Sequence, residues 1–184
     1  MQFIGIFIFF NLFSSPYDGW TEEQWRKAST ADAINHLTAE EKQIFTYVNL
    51  ARMYPADFAE KYIAAEKNKS SYHKSLYKTL KTMQPVGLYY YDEEMYQFAK
   101  CFAKEMGKWG IVGHTRKKCP KGNFAECCAY GSDTGKEIVL QLLIDQGVPG
   151  LGHRVTLLSP NFTKMGASIQ KHKTYRTGAT LDII

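Results

Sequence analysis

Two histidines that each directly follow a glycine are the residues of this chain best suited to chemistry. They are His114 in a Gly-His-Thr run and His153 in a Gly-His-Arg run, and two glutamates, Glu126 and Glu137, lie between them. Imidazole nitrogens and carboxylate oxygens are ligands for divalent cations such as zinc, and the same groups transfer protons in catalysis. The four residues therefore predict a cation site or a proton-transfer site, provided that the fold brings them together.

Each of these residues also has a purely structural interpretation. Glu137 ends the run Thr-Gly-Lys-Glu at positions 134–137, which has the pattern of a capping box, so its carboxylate could serve only to stabilise a helix start. Glu126 lies in an apolar stretch, where a carboxylate is costly unless it is paired, so a functional role or a buried hydrogen-bond network is favoured. His114 taken alone would be interpreted as a solvated loop residue.

The composition is that of a globular protein with one domain. The chain has 184 residues, of which 45% are hydrophobic, and a net charge of +5. Its lysines are dispersed, and the densest basic cluster, Arg116 to Lys118 with Lys121, is interpreted as a solvated loop. A nucleic-acid partner is not expected, because such proteins usually carry a longer basic stripe. Weak attraction to an anionic surface is compatible with the charge.

The N-terminus has the composition of a targeting segment. Residues 3–13 are almost wholly apolar, and they are too few to span a bilayer, which needs about 20. They fit the apolar region of a secretory signal peptide, although no Lys or Arg precedes them, and a hydrophobic N-terminal strand is the alternative. We predict a signal peptide over residues 1–15, an N-terminal extension over 16–37 and the domain over 38–184, in a secreted or extracytoplasmic protein.

Four cysteines bear on the same question: Cys101, Cys119, Cys127 and Cys128. In an exported protein they are expected to pair, and the sequence alone does not fix the connectivity. Because neighbouring Cys127 and Cys128 do not easily bond to each other, we expect one disulfide from each to Cys101 and Cys119. A zinc site is the competing interpretation, and the absence of any Cys-x-x-Cys spacing disfavours it.

Helical patterns come first along the chain and strand patterns later. Thr38 and Glu41 form a capping box ahead of a helix that should end near Met53. Asp92 should cap a helix with an apolar stripe. Residues 124–130, 164–170 and 175–183 have the pattern of strands, and loops should carry His114 and His153. This order suggests an α+β domain with helices packed on an antiparallel sheet.

Four short motifs follow one another along the chain: Asn49-Leu50-Ala51-Arg52 with Pro55 and Phe58, Gly113-His114-Thr115, Asn123-Phe124-Ala125-Glu126 with Tyr130-Gly131, and Gly152-His153-Arg154 with the run 157–162. In this order they resemble the CAP superfamily, which comprises cysteine-rich secretory proteins, antigen five and pathogenesis-related proteins. The likeness is closest to compact bacterial-type members and runs from about Thr38 to the C-terminus.

The resemblance implies a three-layer α–β–α sandwich with a central antiparallel sheet and a cleft. It implies that His114 and His153 hold a divalent cation, zinc or magnesium, and that Glu126 and Glu137 line the cleft beside them. Two departures stand out: the family has Asn and an apolar residue where this chain has cysteines after Glu126, and a tryptophan is missing from the helix after Glu137. The position of the second glutamate varies in the family, and Asp145 is its substitute candidate.

Two functions of different classes follow. The first is a secreted binding module that holds a cation and an extracellular lipid, peptide or glycan partner. The second is a metal-dependent hydrolase of the protease or esterase kind, in which Glu126 or Glu137 is the catalytic candidate and the cation activates a water. A structural domain with a polar cleft and no ligand is a third interpretation. No nucleophile beside a base is evident, so a non-enzymatic role is the expectation.

Overall fold

The structure is a computed structural model that describes residues 17–184, so the predicted signal peptide lies outside the described residues. The helices are α1 (Glu22–Ala28), α2 (Ala39–Met53), α3 (Pro55–Tyr62), α4 (Ser71–Thr82), α5 (Glu93–Trp109), α6 (Gly135–Ile144) and α7 (Gly152–Leu158). The strands are β1 (Tyr90–Tyr91), β2 (Ala125–Tyr130), β3 (Lys164–His172) and β4 (Arg176–Ile183). Within the described range, no helix is both long enough and apolar enough to cross a membrane.

Side-chain caps define where the principal helices begin. Thr38 caps α2 and Thr134 caps α6, and each forms a capping box with the glutamate at N3, Glu41 or Glu137. Asp92 caps α5 through its side chain. The predicted starts of these helices are confirmed, because the capping pattern is local and does not depend on tertiary contacts.

The four strands form one sheet in the order β1–β3–β4–β2. β4 pairs antiparallel with both β3 and β2, whereas the two-residue β1 lies parallel to β3 at the edge. The centre of the sheet is therefore antiparallel as predicted. The parallel edge strand is an addition that the sequence did not predict, since two residues carry no periodic signal.

Helices cover both faces of this sheet. α5 packs against β3 and β4 on one face, while α2, α6 and α7 contact strands on the other. Successive strand residues point to opposite faces, so Cys127 of β2 joins the main core and Cys128 packs with Phe102 and Met106 beneath α5. The fold is the three-layer α–β–α sandwich of the α+β class.

The segment predicted as an N-terminal extension packs onto the domain. α1 contacts α2, and Trp20, Ala28 and Ala31 are buried in the main core. The side chain of Asn49, in the middle of α2, donates to the carbonyl of Ala28 at 2.9 Å. Residues 17–37 therefore contribute apolar surface to the same core as the helices that follow them.

A helix occurs where the sequence predicted only a loop. α7 follows a 3₁₀ turn (Pro149–Leu151), and Leu151 before it is left-handed with φ of 54°. The N-cap residue Leu151 makes no side-chain hydrogen bond to α7, so the usual start signal is missing from the sequence. His153 consequently lies in the first turn of a helix and is held more rigidly than a loop residue.

The disulfide pairing differs from the one predicted. Cys101 and Cys119 are bonded, with their Cα atoms 5.8 Å apart, while Cys127 and Cys128 are free and buried. The expectation that the two adjacent cysteines pair with the other two is therefore wrong. Only Cys128 faces the α5 layer, because neighbouring strand residues point to opposite faces, and Cys101 of α5 is met instead by Cys119 from the following loop.

A close approach of β3 to α5 depends on a glycine. A Cβ atom at Gly166 would lie 2.0 Å from the backbone nitrogen of Tyr96 in α5. Because backbone cannot yield as a flexible side chain does, we expect Gly166→Ala to lower the free energy of unfolding by about 3 kcal/mol. Denaturant unfolding measures the change. Gly87→Ala is the control, since its Cβ would meet nothing within 4 Å, and similar small effects for both variants would contradict the argument.

Candidate functional site

A cavity of about 660 Å³ lies between the loop after α5 and the α6–α7 connection. Its wall includes both predicted histidines, His114 and His153, with Asp145, Cys128 and the apolar side chains of Val112 and Leu142. The two histidines are far apart in the chain, and the fold brings them to one hollow. Apolar atoms form most of the exposed surface of the cavity, although polar side chains such as Glu66, Lys69 and Gln141 also lie in its wall.

The loop that carries His114 is fixed at several points along its length. The Cys101–Cys119 disulfide ties it to α5, and the carboxylate of Glu105 accepts from the amides of residues 117 and 118 at 2.9 and 2.6 Å. On the other side of His114, the amide of Gly113 donates to the hydroxyl of Tyr130 at 2.9 Å. These anchors hold a solvent-exposed imidazole in a defined place.

Glu126 orients the ring of His114. Its Oε1 lies 2.8 Å from His114 Nδ1, and its side chain is only 10% exposed whereas that of His114 is 57% exposed. A carboxylate at Nδ1 fixes the tautomer with the proton on that nitrogen and leaves Nε2 as the nitrogen that can bind a cation. In this geometry Glu126 orients the imidazole of His114.

Asp145 has the equivalent relation to His153. Its Oδ1 lies 2.7 Å from His153 Nδ1, and its Oδ2 accepts from the backbone amides of His153 and Arg154 at 3.0 and 3.2 Å. The side chain of Asp145 is fully buried. Asp145 ends α6 and, through these amides, also stabilises the start of α7, so one carboxylate positions both the helix and its histidine.

The two imidazole rings lie side by side, with their centroids 6.2 Å apart. Each zinc–nitrogen bond is about 2.0–2.1 Å long, so rings at this separation are within reach of one shared ion. Each ring has a carboxylate at Nδ1. The site thus consists of two carboxylate–imidazole pairs, a common arrangement around zinc.

Glu137 does not join this group. It is exposed, its carboxylate accepts from the amides of Asp133 and Thr134 at 3.3 Å, and it is not part of the cavity wall. The capping role is the one that the structure gives it, and Asp145 supplies the second carboxylate of the cleft. Glu126 also lies behind His114 and outside the wall, so it contacts the imidazole and not the open space.

A buried ionic network, which the sequence did not predict, lies behind Glu126. Arg116 donates to Glu126 Oε2 and, at 2.7 Å, to Asp182 Oδ2. The interpretation of Arg116 as part of a solvated loop is wrong, because its side chain is 4% exposed and its guanidinium stacks on Phe102 and Phe124. One feature of the sequence could have predicted this network. Asp182 lies in a strand with alternating polarity, and a buried carboxylate needs a cation beside it.

Burial raises the pKa of Asp182 to about 7, against the opposing effect of Arg116. One guanidinium serves two carboxylates, Glu126 and Asp182, so the second negative charge is only partly compensated. Asp182 Oδ1 has no hydrogen-bond partner among the described residues. The network therefore leaves Asp182 with a pKa close to neutral pH, next to the Glu126 carboxylate that contacts His114.

Cys128 contributes a thiol to the cavity wall on the same face of β2 as Glu126. Its Sγ lies 3.9 Å from His114 Nδ1 and 3.8 Å from Glu126 Oε1. Burial and the nearby Glu126 carboxylate raise the pKa of this thiol well above its usual value. Among the residues that the structure describes, one group of three has ligand atoms close enough together to hold a metal ion: His114, Glu126 and Cys128.

Two histidines in polar stretches of the sequence, where surface positions are expected, are buried in the fold. His73 is 5% exposed and lies in the cavity wall, where its Nδ1 is 2.8 Å from Ser70 Oγ. His172 is 3% exposed and its Nε2 lies 3.0 Å from the carbonyl of Ile111. Their polar neighbours in sequence suggested solvent, but helix and hairpin packing direct both rings inward.

The chain matches the cysteine-rich secretory protein (CAP) family over residues 45–181. This protein therefore belongs to that family, as the order of its motifs predicted. The matched span contains His114, Glu126, Asp145 and His153, so the whole candidate site lies within the family domain. A comparison with curated proteins gave no match.

Proposed function

We propose that this protein is an extracytoplasmic binding protein whose cleft holds a divalent cation between His114 and His153. The observation that carries the proposal is the pair of facing imidazoles, 6.2 Å apart, each with a carboxylate at Nδ1. Two such nitrogens favour zinc over magnesium, which prefers oxygen ligands. Glu126 and Asp145 set the tautomers that make Nε2 available on both rings.

The remaining wall supports a partner with two chemical parts. Two protein nitrogens leave coordination positions on zinc for water or for an oxygen of a ligand. Beside the histidines the exposed surface of the wall is largely apolar, with Val112, Leu142 and Val148, and polar side chains such as Glu66, Lys69 and Gln141 also line it. A lipid or an apolar peptide with a free carboxylate fits this combination better than a glycan does, because a glycan has little apolar surface to bury.

Export is supported by the covalent structure. The Cys101–Cys119 bond is of a kind that persists in oxidising compartments and is rare in the cytosol. A binding role is favoured over hydrolysis because Glu126, the candidate base, lies behind His114 and has no direct contact with the cavity. A general base must be within hydrogen-bond reach of the proton that it removes.

Zinc titration by calorimetry tests the cation site. We expect His114→Ala and His153→Ala each to weaken zinc binding at least about 100-fold, or about 2.7 kcal/mol, because each removes one ligand nitrogen. The matched control is His36→Ala, which removes an exposed histidine that hydrogen-bonds to Tyr91 outside the cavity. Equal zinc affinity in the wild type and both site variants would refute the proposal.

A further inference from the structure

Three potential ligand atoms form a compact triangle at the cavity wall, where His114 and Cys128 line the cavity and Glu126 lies behind them. His114 Nδ1 and Glu126 Oε1 are 2.8 Å apart, and Cys128 Sγ lies 3.9 Å from the first and 3.8 Å from the second. The three donor atoms are one nitrogen, one oxygen and one sulfur. This triangle is distinct from the pair of Nε2 atoms discussed above, because it uses the other nitrogen of His114.

The dimensions of the triangle suit a tetrahedral metal. Zinc bonds to thiolate sulfur at about 2.3 Å and to nitrogen or oxygen at about 2.0–2.2 Å, so its ligand atoms lie about 3.3–3.6 Å from one another. The two distances to sulfur exceed this range by only a few tenths of an ångström. The nitrogen–oxygen distance is shorter, as expected for a hydrogen bond whose proton an ion would replace.

Contacts within the protein hold these three groups in place. Residues 126 and 128 share one face of β2 because strand side chains alternate. Arg116 holds Oε2 of Glu126, which leaves Oε1 directed at His114 and Cys128. Cys128 lies in the cavity wall, so a metal at this place has an open side for water or a further ligand.

We propose that His114 Nδ1, Glu126 Oε1 and Cys128 Sγ form a second cation site in this cleft, selective for thiophilic metals of the zinc, cobalt and cadmium class. A thiolate ligand excludes magnesium and calcium, which prefer oxygen donors. Binding moves the proton of His114 from Nδ1 to Nε2 and releases the thiol proton of Cys128 to solvent. The inference rests on the same cleft as the proposed function and shares His114 with it, but it does not use His153. Because a neutral imidazole has one unprotonated nitrogen, the two sites are alternatives at His114 and are not filled together.

Cobalt(II) is the probe, because a bound thiolate gives it a sulfur-to-metal charge-transfer band in the near ultraviolet that nitrogen and oxygen ligands do not give. We expect the band in the wild type and in His153→Ala, and its loss in Cys128→Ala with at least about a tenfold fall in cobalt affinity. Cys127→Ala is the matched control, because this neighbouring thiol lies on the opposite face of the sheet in the main core. It should keep the band.

The outcomes separate this inference from the proposed function. Metal binding that depends on His153 without any charge-transfer band overturns the inference and leaves the proposed function intact. A band in His153→Ala, with unchanged zinc affinity, supports the inference and counts against the proposed pair of ligands. A band that persists in Cys128→Ala overturns the inference. If Cys128→Ala fails to fold, as judged by circular dichroism, Cys128→Ser replaces it, and absence of the band in the wild type alone is decisive.

Discussion

Replacement of Arg52 by alanine is expected to destabilise this protein more than any other single change argued from the structure. Arg52 lies in α2 with no exposed surface. Its guanidinium donates to four backbone carbonyls in two distant segments, those of Gly87, Leu157, Ser159 and Phe162. It also lies 4.1 Å from the ring centroid of Tyr89. One side chain thus joins α2, the segment before β1 and the end of α7.

The expected loss follows from what alanine would leave behind. Several carbonyls would lose a charged donor in a buried place, and each unsatisfied group costs about 1–3 kcal/mol. Because neighbouring costs are not additive, we expect Arg52→Ala to lower the free energy of unfolding by about 4–6 kcal/mol. Arg52→Lys keeps the charge but lacks the planar set of donors, so it should lose about half as much.

Urea or guanidinium unfolding measures both variants. Arg26→Ala is the control, because Arg26 lies exposed on α1 and its removal should change the free energy by less than about 0.5 kcal/mol. A loss below about 1 kcal/mol in Arg52→Ala would mean that the carbonyls find other partners. The assignment of Arg52 as the joint between these segments would then be wrong.

Arg52 also shows which features of the fold can be predicted from the sequence and which cannot. The run Asn49 to Arg52 is one of the four motifs whose order predicted the family, but the run alone does not indicate what its side chains bind. In the structure, Asn49 pairs with both backbone groups of Tyr89, and Arg52 satisfies carbonyls more than 100 positions away in the chain. Such a motif is visible locally, whereas its partners are set by tertiary packing.

Local signals predicted most of the fold. The capping boxes at Thr38 and Thr134 and the cap at Asp92 fixed helix starts, because each depends on residues at most three positions apart. Alternation predicted the long strands β3 and β4. The elements that were missed are β1, with two residues, and α1 and α7, with seven each, which is too short for a periodic signal.

The partners of individual side chains could not be predicted from the sequence. The disulfide, the burial of Arg116 and its pairing with Asp182 each depend on which face of the sheet a residue points to and on what the neighbouring loop brings there. The two histidines were predicted from their Gly-His runs and the order of the family's motifs, and Glu126 from its place in an apolar stretch. Asp145 was only a substitute candidate, since nothing local distinguishes it from an ordinary residue at the end of a helix.

Two substitutions of Asp145 should separate its effect on stability from its effect on cation binding. Asp145→Ala removes a fully buried carboxylate that bonds the imidazole of His153 and the amides of His153 and Arg154. It also places alanine at φ of 56°, which costs about 1–2 kcal/mol. We expect a loss of about 3–5 kcal/mol in the free energy of unfolding, measured by denaturant.

Asp145→Asn isolates the effect on the histidine. Asparagine keeps the shape, tolerates the left-handed backbone and can still accept from the amides at the start of α7, so we expect a loss of only about 1–2 kcal/mol. Its NH₂ group would then face His153 Nδ1, which must become the acceptor and carry its proton on Nε2 instead. Because that proton blocks the ligand nitrogen, zinc affinity should fall about 10–100-fold by calorimetry.

The matched control for the asparagine variant is Glu137→Gln. It makes the same change of carboxylate to amide on α6, but at an exposed position outside the cavity wall, so zinc affinity should stay that of the wild type. Zinc binding in Asp145→Asn equal to that of this control would mean that the tautomer of His153 does not limit the site. The carboxylates would then not control cation binding through the histidine tautomers, even if both histidines proved to be ligands.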